Sequence, residues 1–373
     1  MTSPLPLLPP DITVFERGWL SSNNILIRGA QSTALIDSGY ATHAAQTVAL
    51  VRAALDGRPL DLLVNTHLHS DHCGGNAALQ AAWPAVRTSI PPGLAEHVRH
   101  WDPVALTYAP TGQSCPPFRY EALLQPGSGI RLGDRQWQIH AAPGHDTHSV
   151  ILFEPAERIL VSADALWERG FGVVFPELEG DDAFDELGET LGLIESLAPA
   201  LVIPGHGAVF SDVDKAIAVA RERLNGFLAN PAKHTRHAAK VLLKFKLLEV
   251  QSLPYAAFAR LHLQPPRMQQ RLGVAAGLGQ ALEHQVAGGL EGGAVEVAGH
   301  RLVERVAGVL LVHHLGHALE RGLTCALVTT PCCSQLAMCW LLMRSVARSS
   351  IRPTLWMSGT LEQPTPWSTQ RTT

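Results

Sequence analysis

Three histidines and one aspartate fall within six positions of the run Thr66-His67-Leu68-His69-Ser70-Asp71-His72-Cys73-Gly74-Gly75-Asn76. Imidazole and carboxylate together suit zinc, and also iron or manganese. At i and i+2 on a strand end, His67 and His69 can face the same way. Asp71 and His72 come just after, where a turn can direct them to a second ion, and Gly74 and Gly75 permit a tight bend. A histidine-rich surface loop could share this composition. Three further residues of metal-ligating type, His145, Asp164 and His206, argue against it, because each follows an apolar run. The chemistry such a site performs is hydrolysis. Metal binding draws the pKa of water down toward ~7, so no protein nucleophile is required. No Gly-x-Ser-x-Gly elbow is present, and no Cys–His pair competes with the metal site. Asp71 is the candidate catalytic residue, either orienting the water or carrying a proton to the leaving group.

Positioning these residues requires strands that end where the ligands begin. Leu62–Asn65 leads into His67, Trp137–Ala141 into His145, Ile159–Val161 into Asp164 and Leu201–Ile203 into His206. In α/β sheets ligands gather where strands end and loops begin. Asn24–Arg28 and Thr33–Asp37 read as a hairpin with Gly29 near its turn. Helical spacing is expected over Ala44–Leu55, Gly75–Ala82, Ala183–Leu197 and Val213–Leu228. A further helix, Ala232–Gln251, carries a basic face of Lys233, Arg236, Lys240 and Lys244. Its apolar residues are Val241, Leu242, Phe245 and Leu248. The basic face is either solvated or a substrate- or partner-contacting surface. The Pro-rich segment Trp101–Tyr120 lies between motifs and reads as a lid. Cys73, without a paired cysteine, reads as a packing or loop residue.

The run from Thr66 to Asn76 resembles the signature of the metallo-β-lactamase superfamily. The likeness continues in order through Asp37 in Leu35-Ile36-Asp37-Ser38-Gly39 and His145 in Pro143-Gly144-His145-Asp146. It ends with Asp164 in Ser162-Ala163-Asp164-Ala165 and His206 in Pro204-Gly205-His206-Gly207. It covers about residues 12–210. What the resemblance implies is an α/β fold, the αββα sandwich of that superfamily, here with a C-terminal helical appendage. It implies two zinc ions, with Mn2+ or Fe2+ as alternatives. His67, His69 and His145 would bind one ion, Asp71, His72 and His206 the other, and Asp164 would bridge them. Asp37 would accept hydrogen bonds that orient the ligand loop, or else cap a turn. His148 would support a ligand or make a turn hydrogen bond, or else touch substrate. Trp167, Phe171 and Phe175 follow a ligand and either line the pocket or pack beneath the loop.

Aspartate at both 71 and 164 resembles the glyoxalase II and lactonase branches, and differs from lactamases with Cys at the bridging position. The basic glutathione-binding pattern of glyoxalase II is not found near the C-terminus. The substrate class implied is a small-molecule thioester, lactone or related acyl compound. The alternatives are an iron-dependent dioxygenase and a nucleic-acid phosphodiesterase of the same fold. Processing nucleases carry a large insertion between the bridging Asp and the last His, and Asp164 to His206 has no room for one.

Bulk composition is that of an ordinary soluble globular protein. Hydrophobic residues make up 46% and charged residues 17% of 373, and the net charge of -4 offers no drive toward nucleic acid. Six cysteines without scaffold spacing suit a reducing, cytoplasmic setting, and Met1–Pro10 has no signal-peptide pattern. Three regions are expected: a catalytic domain over 1–211, a helical accessory region over 212–264, and an atypical tail over 265–373. The tail lacks Asp, Lys, Asn, Phe and Tyr, and its only Ile is Ile351. It reads as a poorly ordered extension or an out-of-frame translation. Its uncharged run Leu323–Met343 is long enough to span a bilayer, but Pro331 and its polar residues weaken that reading, and no membrane partner is expected.

Overall fold

The computed structural model describes residues 8–254 and a short strand at 294–296. The first sheet holds β1 (Ile12–Phe15), β2 (Asn24–Arg28), β3 (Thr33–Ile36), β4 (Leu62–Val64), β5 (Arg87–Ile90) and β6 (Ala122–Leu123), in that spatial order. The first two pairings are antiparallel and the others parallel. Between its strands run α1 (Ala44–Leu55), α2 (Ser70–Cys73), α3 (Asn76–Ala82), α4 (Ala95–Arg99) and α5 (Tyr108–Thr111). The second sheet follows: β7 (Gly129–Leu132), β8 (Arg135–Ala141), β9 (Val150–Glu154), β10 (Ile159–Ala163) and β11 (Leu201–Pro204). Helices α6 (Phe175–Glu179) and α7 (Ala183–Leu197) connect β10 to β11, whose pairing is parallel. Then come α8 (Val213–Ala229), α9 (Pro231–Val250) and β12 (Ser252–Pro254), which pairs antiparallel with β13 (Ala294–Glu296).

The layering follows from strand periodicity. Along β2, β3 and β4, Ile25, Ile27, Ala34, Ile36 and Val64 point one way, into a core shared with Trp137, Ile139, Leu152, Val161 and Ile203 of the second sheet. The alternate residues Leu26, Leu35 and Leu63 point the other way and pack on Val51 and Leu55 of α1 and Leu79 of α3. On the far face of the second sheet, Ile151, Phe153, Leu160 and Val202 meet Phe184, Leu187 and Ile194 of α7 and Ile217, Leu224 and Phe227 of α8. Helices therefore cover both outer faces of two packed sheets: the αββα sandwich. Strands buried on both faces need near-continuous apolar runs, which is what Ile159–Ala163 and Leu201–Pro204 supply.

The segment Trp101–Tyr120, expected as a lid, is packed down. Leu106, Tyr108 and Phe118 are buried with Leu68 and Cys73, and Tyr108 donates its hydroxyl to the Leu68 carbonyl at 2.7 Å. Cys73 is accordingly a packing residue. The basic face of α9 is also divided. Lys233, Arg236 and Lys240 are exposed, but Lys244 is buried, its Nζ 4.0 Å from the centroid of the Trp19 ring. Among the described residues no helix is long and apolar enough to cross a membrane. Leu323–Met343 and most of the tail lie outside the described residues.

Candidate metal centre

All seven candidate ligands meet at one end of the sandwich, beyond the ends of β4, β8, β10 and β11. Three groups form there: His67, His69 and His145; Asp71, His72 and His206; and His67, His72 and Asp164. Within each group the ligand-type atoms lie within 4.8 Å of one another. In the first, His69 Nδ1 lies 3.1 Å from His67 Nε2 and 2.8 Å from His145 Nε2. In the second, His206 Nε2 lies 3.1 Å from Asp71 Oδ2. Asp164 stands between them, its Oδ2 3.3 Å from His145 Nε2, 3.5 Å from His72 Nε2 and 3.9 Å from His206 Nε2.

The local backbone explains this convergence. Pairing of β10 with β11 shifts register between Val161 and Ala163, and Ala163 adopts a left-handed φ of 46°. Such a bulge re-aims the next side chain, here Asp164. Gly205 passes so close to Asp164 that any Cβ would collide with its carboxylate, and Gly172 is equally close to the His145 ring. A loop that the sequence patterns left unassigned ties the two ligand turns together. Ser22 N–H donates to Asp71 O at 2.9 Å and Asn23 N–H to Gly205 O at 2.7 Å. Asn23 Nδ2 also donates to Pro204 O at 3.0 Å.

Hydrogen-bond partners set the histidine tautomers. His145 Nδ1 donates to the Val173 carbonyl at 2.6 Å, leaving Nε2 as a lone pair. Thr66 Oγ1 donates to Asp37 Oδ2 and therefore accepts from His67 Nδ1, which leaves His67 Nε2 as a lone pair too. Both lone pairs face His69 Nδ1, an arrangement that repels unless a proton or a cation sits among them. His72 Nδ1 donates to Asp37 Oδ2 at 2.8 Å, and its buried Nε2 makes no hydrogen bond but faces the Asp164 and Asp71 carboxylates at 3.5 and 4.0 Å.

Electrostatics divides the histidines. Burial, then the neighbouring His72, His69 and His145, hold His67 well below the ordinary histidine range. Burial is also the main cause that brings His145 down to about 4. Burial opposes charge on His72 as well, but the carboxylates of Asp164, Asp37 and Asp71 outweigh it and push that imidazole well above its usual range. Burial would raise Asp164, yet His72 and His206 hold it ionised. Buried carboxylates, the neutral imidazoles of His67 and His145, and a His72 whose Nε2 faces two carboxylates where a divalent ion would take the place of its proton form a donor set that fits divalent ions.

Around these groups opens a cavity of about 260 Å³. Trp167 and Phe175 line it. Trp167 Nε1 donates to Asp164 Oδ1 at 3.2 Å, and the Phe175 ring lies 5.2 Å from that of His69. Phe171 does not line it. It is fully buried, 6.2 Å from the Phe227 ring and 5.0 Å from the Arg223 guanidinium, so it packs beneath the loop. His148 lines the cavity wall, and its backbone N–H donates to Asp146 Oδ1 at 2.8 Å. Asp37 is buried and holds Thr66 and His72. The sequence patterns missed Trp19, whose ring lies 5.8 Å from that of His206. A single Trp in a loop carries no periodic signal.

The family described as the Metallo-beta-lactamase superfamily matches residues 17–206. An acyl-coenzyme A thioesterase MBLAC2 of Gallus gallus is 30% identical over 225 residues, covering 52% of this chain and 76% of that protein. The protein of the same name from Bos taurus is 33% identical over 221 residues, with 52% and 77% covered. A hydroxyacylglutathione hydrolase of Francisella tularensis subsp. holarctica is 28% identical over 162 residues, covering 43% of this chain and 54% of that one. Among solved structures, a beta-lactamase domain protein from Burkholderia ambifaria shares 24% identity with a TM-score of 0.49, covering 76% of this chain and 88% of that one.

Proposed function

The chain belongs to the metallo-beta-lactamase superfamily of hydrolases, and on that footing we propose that it is a binuclear metal-dependent acyl hydrolase whose substrate is a thioester. The observation that carries this reading is the placement of Asp164 between two groups of histidines, within 4 Å of a member of each. His67, His69 and His145 would hold one ion, and Asp71, His72 and His206 the other, with Asp164 shared. Zinc fits the donors best, with manganese or iron as alternatives. Two divalent ions held there would lower the pKa of a water toward neutrality and polarise the scissile carbonyl.

The protein's own residues do the rest. His145 is fixed by Val173 O and His72 by Asp37, so both present Nε2 without rearrangement. Burial would raise the Asp71 carboxyl, but His72 and His206 hold it below its usual range. An ionised carboxylate lining the cavity can take the proton of the attacking water and return it to the departing thiolate. The Trp19 and Trp167 rings lie against His206 and the Phe175 ring against His69, so they form an apolar rim beside the candidate ligands. Likeness to proteins named acyl-coenzyme A thioesterase and hydroxyacylglutathione hydrolase supports a thioester over a lactone.

The test is turnover of acyl thioesters and lactones by purified protein, alongside elemental analysis. Two ions per chain are expected, with thioester hydrolysis lost on chelation and restored by zinc or manganese. Full turnover by rigorously metal-free protein would overturn the mechanism. One iron per chain would point instead to a dioxygenase.

A further inference from the structure

The family match ends at His206, and the cavity does not. Its remaining wall comes from α9, which contributes His237, Val241, Leu242 and Phe245. Spacings of four, five and eight residues put these on one helix face. Leu94, Val173 and Phe175 also line the cavity and extend its apolar surface.

This wall is held in place. Val241 and Leu242 pack with Val173 and Phe175 around buried Ala238 and Ala239. Phe245 meets Tyr40 edge-to-face at 5.1 Å. The Tyr40 hydroxyl donates to Glu249 at 2.6 Å and accepts from Ser114 N–H, while Lys246 Nζ donates to Gly112 O at 2.9 Å. The helix is thus tied to the segment supplying Thr111 and Gln113 to the same cavity.

Charge gives the wall a preference. Among the described residues lining the cavity there is no Lys or Arg. The nearby cations stand behind other side chains. Lys244 lies over Trp19, and Arg223 bonds His237 Nε2 at 2.6 Å. A pocket of about 260 Å³ is just below the ~300–1,000 Å³ of drug-sized sites, so it suits an acyl group rather than a whole thioester with its carrier. A carboxylate at the far end of an acyl chain, away from the candidate metal ligands, would be desolvated against the apolar face of α9 with no Lys or Arg among the described lining residues to pair with it.

We propose that α9 is the specificity element of this site: Val241, Leu242 and Phe245 bind the acyl chain of the substrate and select a neutral, apolar chain over one ending in a negative charge. The proposal rests on the acyl-hydrolase reading only for the identity of its ligand, and its test does not require turnover.

The probes are two non-hydrolysable thioethers of N-acetylcysteamine with chains of equal length, one S-octyl and one ending in a carboxylate. Trp19 and Trp167 line the cavity, so their fluorescence reports binding. The full-length protein should bind the octyl probe at least tenfold more tightly. Leu242→Ala and Phe245→Ala should each weaken that binding about tenfold with metal content kept and the protein still folded at the assay temperature. Leu242→Arg should shift preference toward the carboxylate probe. Should Leu242→Arg not fold, the two alanine variants still decide. Equal affinity for both probes, no binding of either, or unchanged octyl binding in correctly folded alanine variants would overturn the proposal. Tight octyl binding without thioester hydrolysis would instead sink the catalytic reading and leave α9 as an acyl-binding wall.

Discussion

Asp37 Oδ2 accepts a hydrogen bond from His72 Nδ1 at 2.8 Å, while its Oδ1 accepts from Thr66 N–H at 2.9 Å. One carboxylate therefore fixes both the tautomer of a candidate ligand and the start of the loop that carries three others. Asp37→Ala should lower metal affinity about 10–100-fold, the usual cost of removing a residue that orients a ligand. Titration against a competing chelator would measure it. Unchanged affinity would mean that Asp37 only caps the turn.

Asp164→Ala should damage the protein more than His148→Ala. Asp164 stands within reach of both histidine groups, whereas His148 lies on the cavity wall with only its backbone bonded to Asp146. Metal content and kcat of the two variants decide the matter. Equal metal loss in both would show that the motif around His145 has been misassigned.

Removing metal should destabilise the fold as well as silence it. Asp37 and Asp164 are buried carboxylates, and the lone pairs of His67 and His145 face His69. A ligand that binds only the folded state adds about 2.7 kcal/mol at a hundredfold excess over Kd. The melting temperature should fall on chelation and recover with zinc. An identical melt with and without metal would count against a built site.

His237 should make stability fall in mild acid. Burial, then Arg223, lowers its pKa from 6.5 to about 3. Between those values the unfolded chain binds a proton that the folded chain refuses, so stability drops as pH falls. By pH 5 the loss should be about 2 kcal/mol. His237→Gln keeps an acceptor for Arg223 and cannot titrate, so it should lose less stability than wild type between pH 7.5 and 5. Parallel urea melts would show this, and equal losses would refute it.

A chain ending at Gln264 should keep its metals and its turnover rate. Every candidate ligand lies at or before His206, and the cavity wall on α9 ends at Phe245. Such a chain loses β13, the partner of β12, but no described residue of the cavity. Metal loss or misfolding in the shortened protein would show that residues beyond 264 pack against the catalytic unit.

Much of the scaffold was legible in the sequence because local periodicity decides it. The helices at Ala44–Leu55 and Ala183–Leu197 occur with the bounds their apolar spacing predicts. The runs leading into His67, His145, Asp164 and His206 are strand ends, since β-branched and aliphatic residues buried on both faces have few other places to go. Ligand types and their order are likewise a matter of sequence. What only the tertiary structure decided was direction. Phe171 and Phe175 are four residues apart after the same ligand, yet one enters the core beside Phe227 and the other faces the cavity. Lys244 shares a spacing with exposed Lys240, yet lies buried over Trp19. The loop Ser22–Asn23 reaches the site through backbone hydrogen bonds to Asp71 and to Gly205, the latter more than 180 residues away, and Trp19 reaches it through ring contacts with Trp167 and His206. Such choices depend on what the opposing layer offers each side chain, and that information is spread over distant segments of the chain rather than written near the residue itself.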